Sequence, residues 1–458
     1  MIKFLLKTLA YLVVLLLAGL LVAQFFSVRS INQTLDEPPI PIYAVDAAEA
    51  DAGSPPAPVI FVGNNWQGTI TVIDPVDYAV LGVINGIPDK QARLEEVKES
   101  FVRRLLFFGI RNLVGEGNNQ YVDDMYSSLD GRSLVVSRPS FADVVSIDVE
   151  SGKINWRFEV DGARADHMAL SPDGRHVAVS ASTGNVVHVI DIDSGQEYGR
   201  FPTGDSPHEN VYSKDGSKIF HASIGRVFSP FDFSGGGFLK GERRFQVVDA
   251  RSMEILEQFD IRDKLNAFGR EDISPSIRPM AHSSDERFFY FQLSFLHGFI
   301  EYDMQAKKIV RLIDLPKVTT AKRTGYVNDS AHHGIAISGD DNTLCVAGTM
   351  DDYVAMVDIS STEHDILEGL GKKPYWVVTD KKGEHCYVSW SETDQMSVIR
   401  YADGQEVARV DVGDHPQRIR EGFVTGAWHR IARDMPEPAP TEPPTTAPQD
   451  VDRVEAGD

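Results

Sequence analysis

Five of the thirteen histidines in this chain fall at the starts of short apolar runs, a place where charged residues also gather. Along the chain these positions hold Asp123-Asp124, Asp166-His167, His208-Glu209-Asn210, Arg278, His332-His333, Lys373, and His415 with Arg418. Imidazoles and carboxylates gathered round one cavity bind a divalent metal, and cationic side chains there bind a small anion. The candidate metal ligands are His167, His208, His333 and His415. The candidate anion-binding residues and carboxylates are Asp124, Glu209, Arg278, Lys373 and Arg418. The same positions also suit a plainer role, lining a wet channel. His176, His188, His221, His297, His364 and His385 fall in or beside other strands and are read as structural. His282 lies near the far end of its run, and His429 lies beyond the last one.

No better-known reaction centre competes with this set. The chain has no Gly-x-Ser-x-Gly elbow and no Cys-x-x-Cys-His haem attachment. Ser234-Gly-Gly-Gly237 lacks the Lys-Ser/Thr and following helix of a phosphate loop and reads as a hinge. Cys345 and Cys386 lie in apolar strand-like runs. They are expected to be small buried side chains at equivalent places in neighbouring repeats, too far apart to bridge. A formal net charge of −22 disfavours nucleic acid, and anionic membrane, as partners of the soluble part.

The elements that must position the histidines repeat. An apolar strand ends in Ser-x-Asp-Gly, a second strand follows, and a third ends in an apolar residue and Asp. The turn occurs as Ser128–Gly131, Ser171–Gly174 and Ser213–Gly216, with looser forms at Ser283–Glu286, Ser338–Asp341 and Thr379–Gly383. Asp-Gly between apolar runs marks a hairpin, because glycine accepts positive φ and Asp bonds its own backbone. A period near forty residues fits one four-stranded propeller blade per repeat. Six complete blades are counted, and a seventh is split: three strands near residues 59–84 await a fourth near Pro416–Glu421. The expected fold is an all-β seven-bladed β-propeller over residues 58–422.

Gly68–Asp74 and Gly184–Asp191 match the third strand, and Ser206–Gly216 and Ala331–Asp340 the inner strand, of a known repeat. On these segments the chain resembles the YVTN repeat (YncE-like) propellers, which look like the lactonase-type and cytochrome d1-type propellers. The resemblance implies fold rather than activity, since such propellers serve as enzymes, cofactor holders and binding platforms. Some propeller lyases of acidic sugars resemble this chain in placing channel histidines round a divalent metal.

Residues 8–28 carry no charge and are long enough to cross a bilayer. Lys3 and Lys7 precede them, so the segment reads as a single-pass anchor in the cell membrane with the propeller on the extracytoplasmic, periplasmic or extracellular, side. A cleaved signal ending at Ala23 is the rival reading. Residues 1–7 are then cytoplasmic, 29–57 a disordered linker, and 423–458 an extension ending in a Pro-rich acidic tail. Four insertions fall on the face where the inner strands begin. One of them, at 85–120, carries an amphipathic helix from Asp89 to Asn112 with Leu94, Val97, Phe101, Leu105 and Phe108 on its apolar face. It is expected to pack on the propeller top as a lid, or to touch the membrane through Leu105–Phe108. The functional expectation is a membrane-held platform for an envelope protein or an anionic small molecule. The alternatives are a metal-dependent lyase or hydrolase of such a molecule or oligosaccharide at the channel mouth, and a redox partner holding a cofactor.

Overall fold

The computed structural model describes residues 2–38, 40, 54–227 and 237–434. Residue 39, residues 41–53 of the expected linker, the glycine run 234–236 and the tail 435–458 lie outside the described residues. Seven four-stranded antiparallel sheets form the ring of a β-propeller. Blades 2 to 7 each take consecutive strands, their inner strands being Asp124–Ser127, Ala165–Leu170, Pro207–Tyr212, Ile277–His282, Ile335–Ile337 and Pro374–Thr379. Blade 1 is the split one: Pro416–Val424 pairs antiparallel with Ala57–Asn64 and supplies its inner strand. This strand completes the seventh sheet and closes the ring, leaving only the short edges of the individual blades.

The repeated turn is built by its own side chains. In the first copy, Ser128 Oγ donates to Asp130 Oδ1 (2.6 Å), and the same carboxylate accepts from the Arg132 amide. Gly131 sits at φ 71°, and a Cβ there would meet the Val424 backbone at 2.3 Å. Two of the looser copies keep the conformation without glycine, with Glu286 and Asp341 at φ 58° and 60°. The recurrent third-strand Asp caps the next turn, as where Asp148 Oδ1 accepts from the Ser151 amide and hydroxyl. Apolar residues fill the layers between neighbouring blades, whereas fourth strands such as Ile154–Glu159 alternate half-buried with exposed residues.

Cys345 and Cys386 do occupy equivalent second strands of blades 6 and 7, but they form a disulfide, with Cα atoms 6.5 Å apart. The expectation that strands of neighbouring blades stand too far apart to bridge is wrong, because facing positions of the two blades come within disulfide reach. Both side chains enter a single interblade layer, packed with Ala336, Val377 and Ile399, where the two sheets meet face to face.

The helices also differ from expectation. The N-terminal helix runs from Ile2 to Leu35, beyond residue 28, and its apolar stretch Tyr11–Leu35 is long enough to cross a membrane. Its last turns bury Gln24, Ser27, Ile31 and Thr34. The insertion is two helices, Lys90–Glu99 and Phe101–Leu113, because Ser100 breaks the first and caps the second through the Arg103 amide. After this break the buried residues are Phe107 and Ile110, while Phe101 is exposed and Leu105 and Phe108 are half-buried. Past the last strand, helix Gly426–Asp434 packs Trp428 on blade 1.

Candidate functional site

The inner strands carry an irregularity at one level. In blades 1, 3, 4, 5 and 7 the register shifts between Pro416 and Ile419, Ala165 and Met168, Pro207 and Glu209, Ile277 and Met280, and Pro374 and Trp376. A bulge re-aims side chains that regular pleating would turn into the interblade layers. Arg418, His167, His208, Arg278 and Tyr375 sit in these shifts and are all buried.

Three of the four candidate metal ligands converge. One ligand atom from each of His167, His208 and His333 lies within 4.8 Å of the others. A second grouping by the same measure joins His167 to Asp123 and Asp166. His167 Nε2 lies 3.5 Å from Asp166 Oδ1 and 3.8 Å from Asp123 Oδ2, two buried carboxylate oxygens that have no hydrogen-bond donor. Its other nitrogen, Nδ1, shares a 2.9 Å hydrogen bond with Glu209 Oε2. A carboxylate on one imidazole nitrogen orients the ring and leaves the other nitrogen to ligate. His208 Nδ1 is likewise without a partner. Burial, then neighbouring positive charge, holds His167, His208 and His333 well below the ordinary imidazole range, in the neutral form that ligates metals. Burial and then the Asp166 charge push Asp123 up to about 7, and burial lifts Glu209 to about 7 against the pull of Arg418. Carboxylates and neutral imidazoles at these spacings are groups that could hold a metal ion.

The fourth candidate stands apart. His415 stacks on Trp66, with ring centroids 3.7 Å apart and planes within 2°. Tyr375 lies between it and His333, at 6.3 Å and 4.4 Å. The anion candidates also divide. Asp124 is taken by Arg420 and by the Met125 and Met168 amides. Arg278 bonds Ser294 Oγ at 2.9 Å and the Asn328 carbonyl, and Lys373 Nζ bonds Glu116 Oε2 at 2.6 Å. Arg418 remains. Its guanidinium carbon lies over Trp376, 3.3 Å from the ring centroid, with neither terminal nitrogen hydrogen-bonded and Glu209 Oε2 3.7 Å away. A buried guanidinium fork of this kind recognises a carboxylate or phosphate.

Asp123 and Asp166 stood in the polar ring of the sequence without being assigned as ligands, and the adjoining Asp124 was assigned instead. Their pattern carried no distinguishing signal, because the strand start decides which of two successive aspartates turns inward. Trp376 was missed because an aromatic residue on an inner strand reads as core.

Three insertions meet over this mouth. Asn328 Nδ2 donates to the Val114 carbonyl at 3.2 Å, and Lys240 pairs with Asp329. With the Glu116–Lys373 and Asn328–Arg278 bonds, these contacts cap the channel and explain why its polar residues are buried.

A separate cluster joins His297, His332 and Asp351. Asp351 Oδ2 takes both rings, at 2.5 Å and 3.3 Å, while Oδ1 accepts from the Val318 and Thr319 amides at 2.8 Å. Its carboxylate oxygens are thus already engaged by the fold.

The fold and site define a closed seven-bladed propeller with a polar, capped channel mouth. No family model matches the chain, and no curated protein matches it. Among solved structures, a chain of the hydrazine synthase of Kuenenia stuttgartiensis is similar, with 16% identity and a TM-score of 0.49. That similarity covers 64% of this chain and 88% of the other. The fold assignment rests on the strand pairing described above.

Proposed function

We propose that this protein is a membrane-anchored, extracytoplasmic binding platform that holds a divalent transition metal and an anionic small molecule in the channel mouth. The observation that carries the reading is the convergence of His167, His208 and His333 with the undonated oxygens of Asp123 and Asp166. His167, His208 and His333 would hold the metal with one or both aspartates. Arg418 would take the anion, its stack on Trp376 keeping the fork oriented. The apolar N-terminal helix supports the anchor, and Lys3 and Lys7 before it support an outward-facing propeller. The Cys345–Cys386 disulfide fits the same side, since such bonds persist in oxidising compartments. A second reading, a metal-dependent lyase or hydrolase of an anionic molecule or oligosaccharide, is favoured by Glu209, a carboxyl group near neutrality beside the imidazoles.

The test is elemental mass spectrometry on full-length protein purified without chelator. Near one equivalent of a transition metal is expected, with loss of it in His208→Ala and His333→Ala. No metal after incubation with zinc, manganese and iron overturns the metal reading. Turnover of acidic oligosaccharides by the loaded protein separates enzyme from platform.

A further inference from the structure

The insertion reaches the N-terminal helix at a depth that the helix's own sequence defines. We propose that the bend between the two insertion helices, with Phe101 and Val102 at its tip, is seated in the lipid interface. It would thereby turn the channel-mouth face of the propeller towards the bilayer. This rests on the N-terminal helix being a membrane anchor.

The uncharged run ends at Arg29, and Gln24 lies inside it. Gln24 is 9% exposed because the insertion covers it. Its Nε2 donates to the Phe101 carbonyl at 3.3 Å, and its Oε1 accepts from Arg104 Nε at 2.8 Å. Five residues of helix rise about 7–8 Å, so the Phe101 carbonyl lies that far inside the apolar run. Elements lying in a membrane interface are buried to about 5–10 Å. A glutamine within hydrocarbon needs protein partners for its amide, and the insertion supplies them.

At this depth both elements expose apolar side chains, which on the insertion are flanked by the exposed charges of Glu99 and Arg103. Leu21, Val22, Phe25 and Phe26 of the N-terminal helix are 71%, 56%, 65% and 48% exposed, and beside them Phe101 and Val102 are 48% and 61% exposed. This patch is continuous with the membrane-crossing surface, which names lipid as its occupant. Further along both helices Arg111 bonds Ser30 Oγ at 2.9 Å, and Ile31 is buried in an apolar cluster with Val97 and Phe107 of the insertion. The chain then runs to Val114 and Glu116 over the mouth. One insertion therefore links the bilayer at Phe101 to the cap of the site at Glu116.

The experiment uses the full-length chain in nanodiscs of phosphatidylethanolamine and phosphatidylglycerol. Single cysteines replace Val102, Leu16 or Leu129 (V102C, L16C, L129C) and carry a nitroxide, the native pair being held as a disulfide. Leu129, 56% exposed in the first repeat turn, is the reference for the water-facing propeller. At Val102 and Leu16 collisions with oxygen should exceed those with a water-soluble nickel chelate several-fold, and at Leu129 the order should reverse. Val102 behaving like Leu129 while Leu16 stays in lipid overturns the seating alone. Leu16 behaving like Leu129 overturns the anchor itself. A label at Val102 reached by neither reagent places a second copy of the chain there, and this also overturns the proposal.

Discussion

Asp124 and Arg420, separated by 296 residues, form a bidentate ion pair with Nε to Oδ1 at 2.9 Å and a terminal nitrogen to Oδ2 at 2.8 Å. Asp124 opens the inner strand of blade 2, and Arg420 lies on the C-terminal strand that completes blade 1. The pair therefore locks the ring where the chain's two ends meet. Arg420→Ala leaves the Asp124 carboxylate buried and without its cation. It should lower stability by about 3–5 kcal/mol, read by chemical denaturation. An unchanged denaturation midpoint would mean that the strand pairing alone holds the closure.

Arg418 is two residues away and has a different task. Arg418→Ala should retain the metal bound by His167, His208 and His333 and lose affinity for carboxylate ligands by about tenfold or more. Calorimetric titration of the metal-loaded variant with small carboxylates checks this. Loss of metal in Arg418→Ala would place its guanidinium in support of the metal ligands instead.

The Glu116–Lys373 bond latches the cap. Glu116→Gln removes the charge but keeps a side-chain oxygen for the buried Lys373 ammonium, which also has Glu392 Oε1 3.8 Å away, and should lower the melting temperature by only about 2–4 °C. Metal release to a chelator, followed by stopped flow, should quicken several-fold. An unchanged rate would show that the cap opens elsewhere.

The Cys345–Cys386 bond closes a loop across two blades with a sequence separation of 41 residues. Cys345→Ser with Cys386→Ser should cost about 2–4 kcal/mol. Thiol titration of denatured, unreduced protein should find no free thiol, and two after reduction.

Burial opposes the charge on Asp351, yet hydrogen bonds from His297, then His332 and the Thr319 amide, hold its carboxyl well below the ordinary range. A depressed carboxyl stabilises the fold above its unfolded value of about 4 and loses that contribution as pH falls through and below it. Asp351→Asn should therefore cost about 1–3 kcal/mol near pH 7, and its deficit should narrow below about pH 4. Denaturation midpoints across pH measure both.

The blade count, the split blade and the face carrying the insertions were legible in the residues. Ser-x-Asp-Gly turns and apolar-Asp strand ends act through bonds only a few residues long, so sequence order is enough to read them. The polar ring at the inner strand starts was legible for the same reason. Which members face one another was not. Bulges near His167, His208 and Arg418 re-aim those side chains, and His415 is drawn off by Trp66. Asp123 and Asp124 are neighbours in sequence, yet one enters the channel cluster and the other meets Arg420. The disulfide, the capped mouth and the docking of Gln24 on the insertion likewise join residues remote in the chain. Local patterning determined the blades, because hairpins are short-range. Only closure of the ring, which sets the distances between blades, decided the site.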